Sequence, residues 1–206
     1  MKLFDYDGSF MQFTTLLSRL TLLNILWTLC CIPIVTAGAA TAAQYYSAKK
    51  LSEGDTHVFG NFRAGFSLYW KKATVIWLFA AVLSAAFLSG LYILVTAVVP
   101  GQTILASISA LAYMTLLMIL LWVYPVMIHF TGNLREILFN AFIFTFMYAP
   151  VTLIAAAFYG LFGFLAMRYT IVLGLFLIFG QSLIVYGILL LFGKVFQKYK
   201  SGQNQS

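Results

Sequence analysis

The sequence predicts an all-α fold, a polytopic transmembrane helical bundle of about five spans with a broken first segment at Pro33. Three observations predict it. Of 206 residues, 63% are hydrophobic and only 8% are charged, whereas a soluble domain carries roughly 25% charged residues. The apolar residues gather into runs long enough to cross a membrane, which takes about 20 residues in a helix. Those runs lack the period-two alternation of a barrel strand, and hydrocarbon offers no partner to free backbone groups, so the spans are helical. Short loops and this length make one membrane domain of residues 1–206.

The N-terminal segment, 1–19, reads as interfacial. Phe10, Phe13, Leu16, Leu17 and Leu20 recur at helical spacing, with Gln12, Ser18 and Arg19 among them. A signal peptide is the competing reading, since Lys2 precedes an apolar stretch and Ala37, Ala39 and Ala42 mimic a cleavage site. Asp5 and Asp7 spoil its basic start, and the apolar stretch runs on too far.

The first span, 20–46, runs through Asn24, Trp27, Cys30 and Cys31 to Pro33, then through small residues to Tyr45 and Tyr46. It is longer than a hydrocarbon core of about 30 Å requires and too short for two full crossings. A single tilted or broken helix fits. Pro33 disfavours helical geometry at Ile32 and removes a backbone donor, and Thr36 is placed to cap a second piece from Ala37. If Pro33 instead marks a re-entrant hairpin, the amino terminus moves to the inner side.

Residues 49–72 form the main polar loop, with Lys49, Lys50, Arg63, Lys71 and Lys72 against Glu53 and Asp55. The positive-inside rule makes it cytoplasmic. Phe59, Phe62, Phe66, Tyr69 and Trp70 approximate one helical face within it, so part of the loop lies on the inner surface. The second span, 73–99, ends at the uncharged Pro100-Gly101-Gln102 turn, placed outside. The third, 104–128, carries Trp122 and Tyr124 as inner anchors and delivers His129, Arg135 and Glu136 to the cytoplasm. The fourth is 137–159 and the fifth 171–192, followed by a cytoplasmic tail, 193–206, with Lys194, Lys198 and Lys200. The basic clusters agree on a multi-pass orientation with the carboxyl terminus in the cytoplasm and the amino terminus outside.

The net charge of +7 comes from residues at the ends of apolar runs, without a basic stripe, so it sets topology and attraction to the lipid bilayer rather than nucleic-acid binding. No GxxxxGK[ST] run cradles a phosphate, no HExxH or GxSxG occurs, and His57 and His129 are far apart. The expectation is therefore no enzyme, no catalytic or metal residues and no cofactor. Adjacent Cys30 and Cys31 read as small buried hydrophobes. The candidate ligand or partner contacts are Asn24, Pro33, Thr36, Gly38, Gln44 and Asn140. Asn and Gln side chains in spans either join helices by hydrogen bonds or line a site, and Gln181 shares that ambiguity. Gly38 and its alanine neighbours permit close helix approach, as do the pairs Ala81 with Ala85 and Ala156 with Gly160.

The segment Asn24-Ile-Leu-Trp27-Thr-Leu-Cys-Cys-Ile-Pro33-Ile-Val-Thr36-Ala-Gly38 resembles the opening signature of the bacterial YesL family of integral membrane proteins of unknown function. The aromatic and basic region around Phe62, Tyr124-Pro125, and Asn140-Ala141 followed by Pro150 support it. The resemblance implies a bacterial plasma-membrane protein, often encoded near genes of carbohydrate uptake and polysaccharide degradation, with no established ligand residues to carry over. Three functions stay open. They are an accessory or permease-like component of carbohydrate uptake, with sugar-transporter subunits as partners; a structural or regulatory protein that binds another membrane protein or itself through small-residue faces; and an autonomous small-molecule carrier.

Overall fold

The computed structural model describes residues 9–96, 101–130 and 132–203, with side chains described from 10 to 193 among them. Lys2, Asp5 and Asp7, Pro100 of the expected outer turn, and the side chains of Lys194, Lys198 and Lys200 lie outside the described residues. Helices α1 (Ser9–Cys31), α2 (Ala37–Ser52), α3 (Val58–Thr96), α4 (Gln102–His129), α5 (Leu134–Met147), α6 (Ala149–Arg168), α7 (Thr170–Leu175) and α8 (Gln181–Gln203) follow one another. A 3₁₀ turn at Ile34–Thr36 joins α1 to α2, and a π-helical turn at Phe176–Gly180 joins α7 to α8. Among the described residues, five stretches are long and apolar enough to cross a membrane: Phe10–Cys31, Val58–Thr96, Gln102–His129, Ala149–Arg168 and Thr170–Gly193.

The first segment is not one broken crossing. Asn24 and Gln44 both bond to Ser182, although 20 residues of straight helix would hold them about 30 Å apart. Trp27 Nε1 also reaches Thr41 Oγ1 across the break, at 3.1 Å. Helices α1 and α2 therefore fold back as an antiparallel hairpin. Pro33 ends α1 because the residue before a proline is driven out of helical geometry, and Thr36 closes the turn. Its hydroxyl donates to the carbonyls of Cys30 at 2.6 Å and Pro33 at 2.8 Å rather than capping α2 forward. Ile32, Ile34 and Val35 at the tip are exposed and apolar. Helix α1 runs unbroken from Ser9, so the expected interfacial segment of 1–19 is, over its described part, the outer half of the first hairpin leg.

Helix α3 is 39 residues long, about 58 Å at 1.5 Å per residue. The expected loop of 49–72 is mostly its first half, and the connection from α2 shrinks to 53–57, where Gly54 adopts φ 93°. Helix α2 runs antiparallel along α3 at glycine contacts. Gly65 faces Tyr46 and Ala43, and Gly38 faces Trp77 and Ala73 so closely that a Cβ would overlap both. Trp77 Nε1 donates to Ile34 O at 2.7 Å, which pins the hairpin tip beside the middle of α3. Helix α2 also packs on α1, α4 and α8, and Ala39, Ala40, Ala42, Ala43, Gln44 and Ala48 are buried along it.

The fourth apolar run is likewise two helices. A capping box of Asn133 and Glu136 starts α5, Tyr148 breaks it at φ −116° and ψ 42°, and Pro150 sits in the first turn of α6. The expected span of 137–159 is thus replaced by Ala149–Arg168, because proline starts a helix readily and disrupts one from within. Phe144 of α5 stacks with Trp122 and Phe130 of the α4 end, and Trp122 lies 3.7 Å from the Phe192 ring of α8. At the same end Lys49 Nζ donates to Ile128 O at 3.3 Å and Lys72 Nζ to Gly132 O at 2.8 Å. Lys49 on the Ile128 carbonyl, in the last turn of α4, matches the negative end of that helix's dipole.

Candidate functional site

Helix α1 is locked to the α7–α8 junction by one side chain. In a π turn each N–H reaches one carbonyl further back than in an α-helix, which leaves backbone groups to be paired elsewhere. Asn24 pairs them. Its Nδ2 donates to Phe176 O at 3.0 Å and Leu177 O at 2.8 Å, and its Oδ1 accepts from Ser182 N at 2.8 Å. Thr28 adds a bond to Leu177 O at 3.3 Å. An amide carries both donors and an acceptor, so one fully buried residue serves three backbone groups that hydrocarbon would leave unpaired. Gln44 approaches the same point from α2, with Nε2 donating to Ser182 Oγ at 2.8 Å while Oε1 stays buried without a partner.

One turn along α2 from this lock lies a chamber of about 500 Å³ between α2, α4, α6 and α8. Its polar edge is built by Tyr45, Tyr159 and Gln181. The Tyr45 and Tyr159 hydroxyls lie side by side, and Gln181 Nε2 reaches the Tyr159 oxygen at 3.5 Å, a long contact. Tyr45 is held in place by stacking on Tyr124, with centroids 5.8 Å apart and planes 12° from parallel. Thr41 lines the wall nearest the hairpin tip, and leucines with Met114 and Met118 of α4 line the opposite one. None of the lining residues is Asp, Glu, Lys, Arg or His. Among the described residues, no three His, Cys, Asp or Glu side chains group as metal ligands would.

The structure separates the expected contact residues into three places. Asn24 and Gln44 meet at Ser182 as the interhelical lock. Pro33, Thr36 and Gly38 form the hairpin turn and its seat on α3, where Pro33 is exposed and Gly38 buried. Asn140 is half-buried on α5 and joins neither group. Sequence reasoning missed Ser182, Tyr45, Tyr124 and Tyr159. Tyr45, Tyr124 and Tyr159 stand near the ends of the expected spans, where tyrosine reads as an interface anchor, so no local signal set them apart.

Residues 20–91 match a family described as "Protein of unknown function, DUF624". That segment begins within α1 and takes in the hairpin, its lock residue Asn24 and most of α3. Over 151 residues the chain is 29% identical to "Uncharacterized protein YesL" of Bacillus subtilis (strain 168), across 71% of each chain. No solved structure matches it. The match over residues 20–91 and the likeness to YesL, together with helices apolar enough to cross a membrane, support a YesL-like family of unknown function.

Proposed function

We propose that this chain is an accessory component of carbohydrate uptake in the plasma membrane, acting by binding a partner membrane protein rather than by catalysis. The observation that carries the reading is the first half of α3. Packed on α2 along one side, it leaves Phe59 and Trp70 62% and 49% exposed, with Arg63 exposed between them. Phe59 precedes Trp70 by 11 residues, about 16 Å of helix, and at about 100° per residue both fall with Arg63 on one side of it. Aromatic residues and arginine are the types enriched in protein interfaces, and large exposed apolar patches mark interaction sites. Carbohydrate uptake as the setting rests on the genes near which YesL-like proteins are encoded. A partner would supply any ATPase.

The basic end is cytoplasmic on this reading, by the positive-inside rule. Both legs of the α1–α2 hairpin open toward that end and its apolar tip turns within the hydrocarbon, so the amino terminus lies inside, opposite to the orientation expected from the sequence. Affinity purification in mild detergent followed by mass spectrometry tests the reading. Sugar-transporter subunits should co-elute with the native chain, be lost from an R63E/F59D variant, and leave sugar uptake impaired. Co-elution of a partner with unchanged uptake kinetics would replace it with the structural or regulatory reading. That alternative has its own support in Ala85 and Ser89, small residues left uncovered on the outer half of α3. Sugar movement into liposomes by the purified chain alone would instead make it a carrier.

A further inference from the structure

The geometry points to the chamber between α2, α4, α6 and α8 as a binding site for an uncharged, hydroxyl-bearing, single-chain amphiphile drawn sideways from the bilayer. Its volume, about 500 Å³, falls within the roughly 300–1,000 Å³ of small-molecule sites. A two-chain phospholipid is too large for it. The polar edge holds the Tyr45 and Tyr159 hydroxyls and the Gln181 carboxamide, with Tyr124 and Thr41 also in the lining, groups that both donate and accept and so match an alcohol, which does the same. No lining side chain is ionisable as an acid or base near neutral pH, and a carboxylate or phosphate brought there would sit in a medium of low dielectric without a counter-charge. A free sugar is disfavoured from the other direction, because the α4 wall facing the polar edge is mainly leucine and methionine and would leave its remaining hydroxyls unpaired.

The way in is lateral. Met114 is 54% exposed and Leu117 38% exposed on the face of α4 that borders the chamber, and Gly160 is exposed on the facing side of α6. These positions fall within two of the stretches apolar enough to cross the membrane, so the mouth opens on lipid. Met114 and Met118 suit such a wall, since an unbranched thioether side chain reshapes around chains of differing length. Gly160 gives a direct means of closing it. A Cβ added there meets no atom within 4 Å, so a leucine can be introduced at the mouth without displacing the backbone.

The inference goes beyond the accessory role and is read on the purified chain alone, so its failure and the failure of that role are separable. The protein is stripped of lipid in non-ionic detergent and titrated with 1-monooleoylglycerol or with oleate at pH 9, and retained adducts are counted by native mass spectrometry. Wild type should retain one monooleoylglycerol, at least tenfold more tightly than oleate. Gly160→Leu should abolish retention. The pair Tyr159→Phe and Gln181→Leu should weaken it about tenfold and narrow the preference over oleate. Gly90→Leu, on α3 with open space around it and away from the chamber, should bind as wild type does. Equal retention of oleate and the glyceride, no adduct on wild type, or an adduct undiminished in a monodisperse Gly160→Leu protein would each overturn the proposal.

Discussion

Replacing Gly38 by alanine sets two effects of opposite sign against each other at one position. In a helix interior alanine is favoured over glycine by about 1 kcal/mol, so on propensity alone the variant should be the more stable. At Gly38, however, the new methyl meets Trp77 Cβ and the Ala73 carbonyl oxygen, atoms close to or in the backbone of α3 that cannot rotate away. Overpacking of this kind costs about 1–3 kcal/mol. Separation of α2 from α3 also stretches the 2.7 Å bond from Trp77 Nε1 to Ile34 O, a loss of about 0.5–1.5 kcal/mol. Steric overlap wins, and the net loss is about 2 kcal/mol. For a chain of this size that lowers the melting temperature by roughly 4–8 °C. Gly90→Ala is the internal control, because no atom lies within 4 Å of its added Cβ and only the propensity gain remains. Thermal unfolding of both variants in detergent, followed by fluorescence-detected size exclusion, should move them in opposite directions. A Gly38→Ala protein as stable as Gly90→Ala would refute the close approach of α2 to α3 and with it the placement of the hairpin.

Asn24→Leu keeps the volume but leaves the Phe176 and Leu177 carbonyls and the Ser182 N–H without their partner. At about 0.6 to 1.7 kcal/mol for each such bond in a membrane, the loss should be about 2–5 kcal/mol, well above that of Thr28→Val, and equal unfolding temperatures for the two would argue against the lock. A single cysteine placed ahead of α1, in a chain with Cys30 and Cys31 changed to serine, should react with an impermeant thiol reagent only from the side that carries the carboxyl terminus. Labelling from the opposite side would rule out the re-entrant hairpin. Asp55 supplies a pH dependence at the start of α3. The His57 backbone N–H, bonded at 3.0 Å, chiefly holds its carboxyl below the usual carboxylate range. A group depressed in the folded state stabilises above its unfolded pKa and loses that contribution as pH falls through the folded one. Protection factors for amide exchange in the first turn of α3, taken relative to the intrinsic rate at each pH, should therefore fall on acidification below the ordinary carboxylate range in wild type and lose that dependence in Asp55→Asn.

The helical membrane character was legible because lipid exposure and helix period both leave marks in hydropathy. Val58–Thr96, Gln102–His129 and Thr170–Gly193 each contain most of an expected span. The break at Pro33 was also legible, since proline disrupts a helix by its own chemistry. The direction taken after the break was not. A kink and a full reversal need the same local sequence, and the choice is made by Trp77, Ser182 and the π turn, which lie 44 to 149 residues from Pro33 (77 − 33 and 182 − 33). The division at Tyr148 could have been read, since Pro150 inside an apolar run signals a helix start more often than a helix middle. The chamber was half legible. Gln181 stood out as a polar residue in a span, but nothing local joins it to Tyr45 and Tyr159, which meet it only through the packing of α2, α6 and α8.

Helix α2 shows why hydropathy misplaces the centre of such a protein. It is the element that touches α1, α3, α4 and α8, with Ala40, Ala42, Ala43 and Ala48 fully buried, yet it is not among the five stretches apolar enough to cross a membrane. In water the buried helix is the apolar one. In a bilayer the outer helices face hydrocarbon and must be apolar for that reason, whereas association between helices is driven by van der Waals fit and hydrogen bonds rather than by removal of apolar surface from water. Small side chains bring the backbones close, as at Gly38 and Gly65, and leave Gln44 Nε2 and Ser47 Oγ to bond to neighbouring helices instead of facing lipid. The same condition makes the chamber possible. A leucine-rich central helix would have filled the space beside Tyr45, whereas an alanine-rich one, held at its tip by Trp77 and through Gln44 by Ser182, leaves a hydroxyl-edged opening that the surrounding lipid can reach.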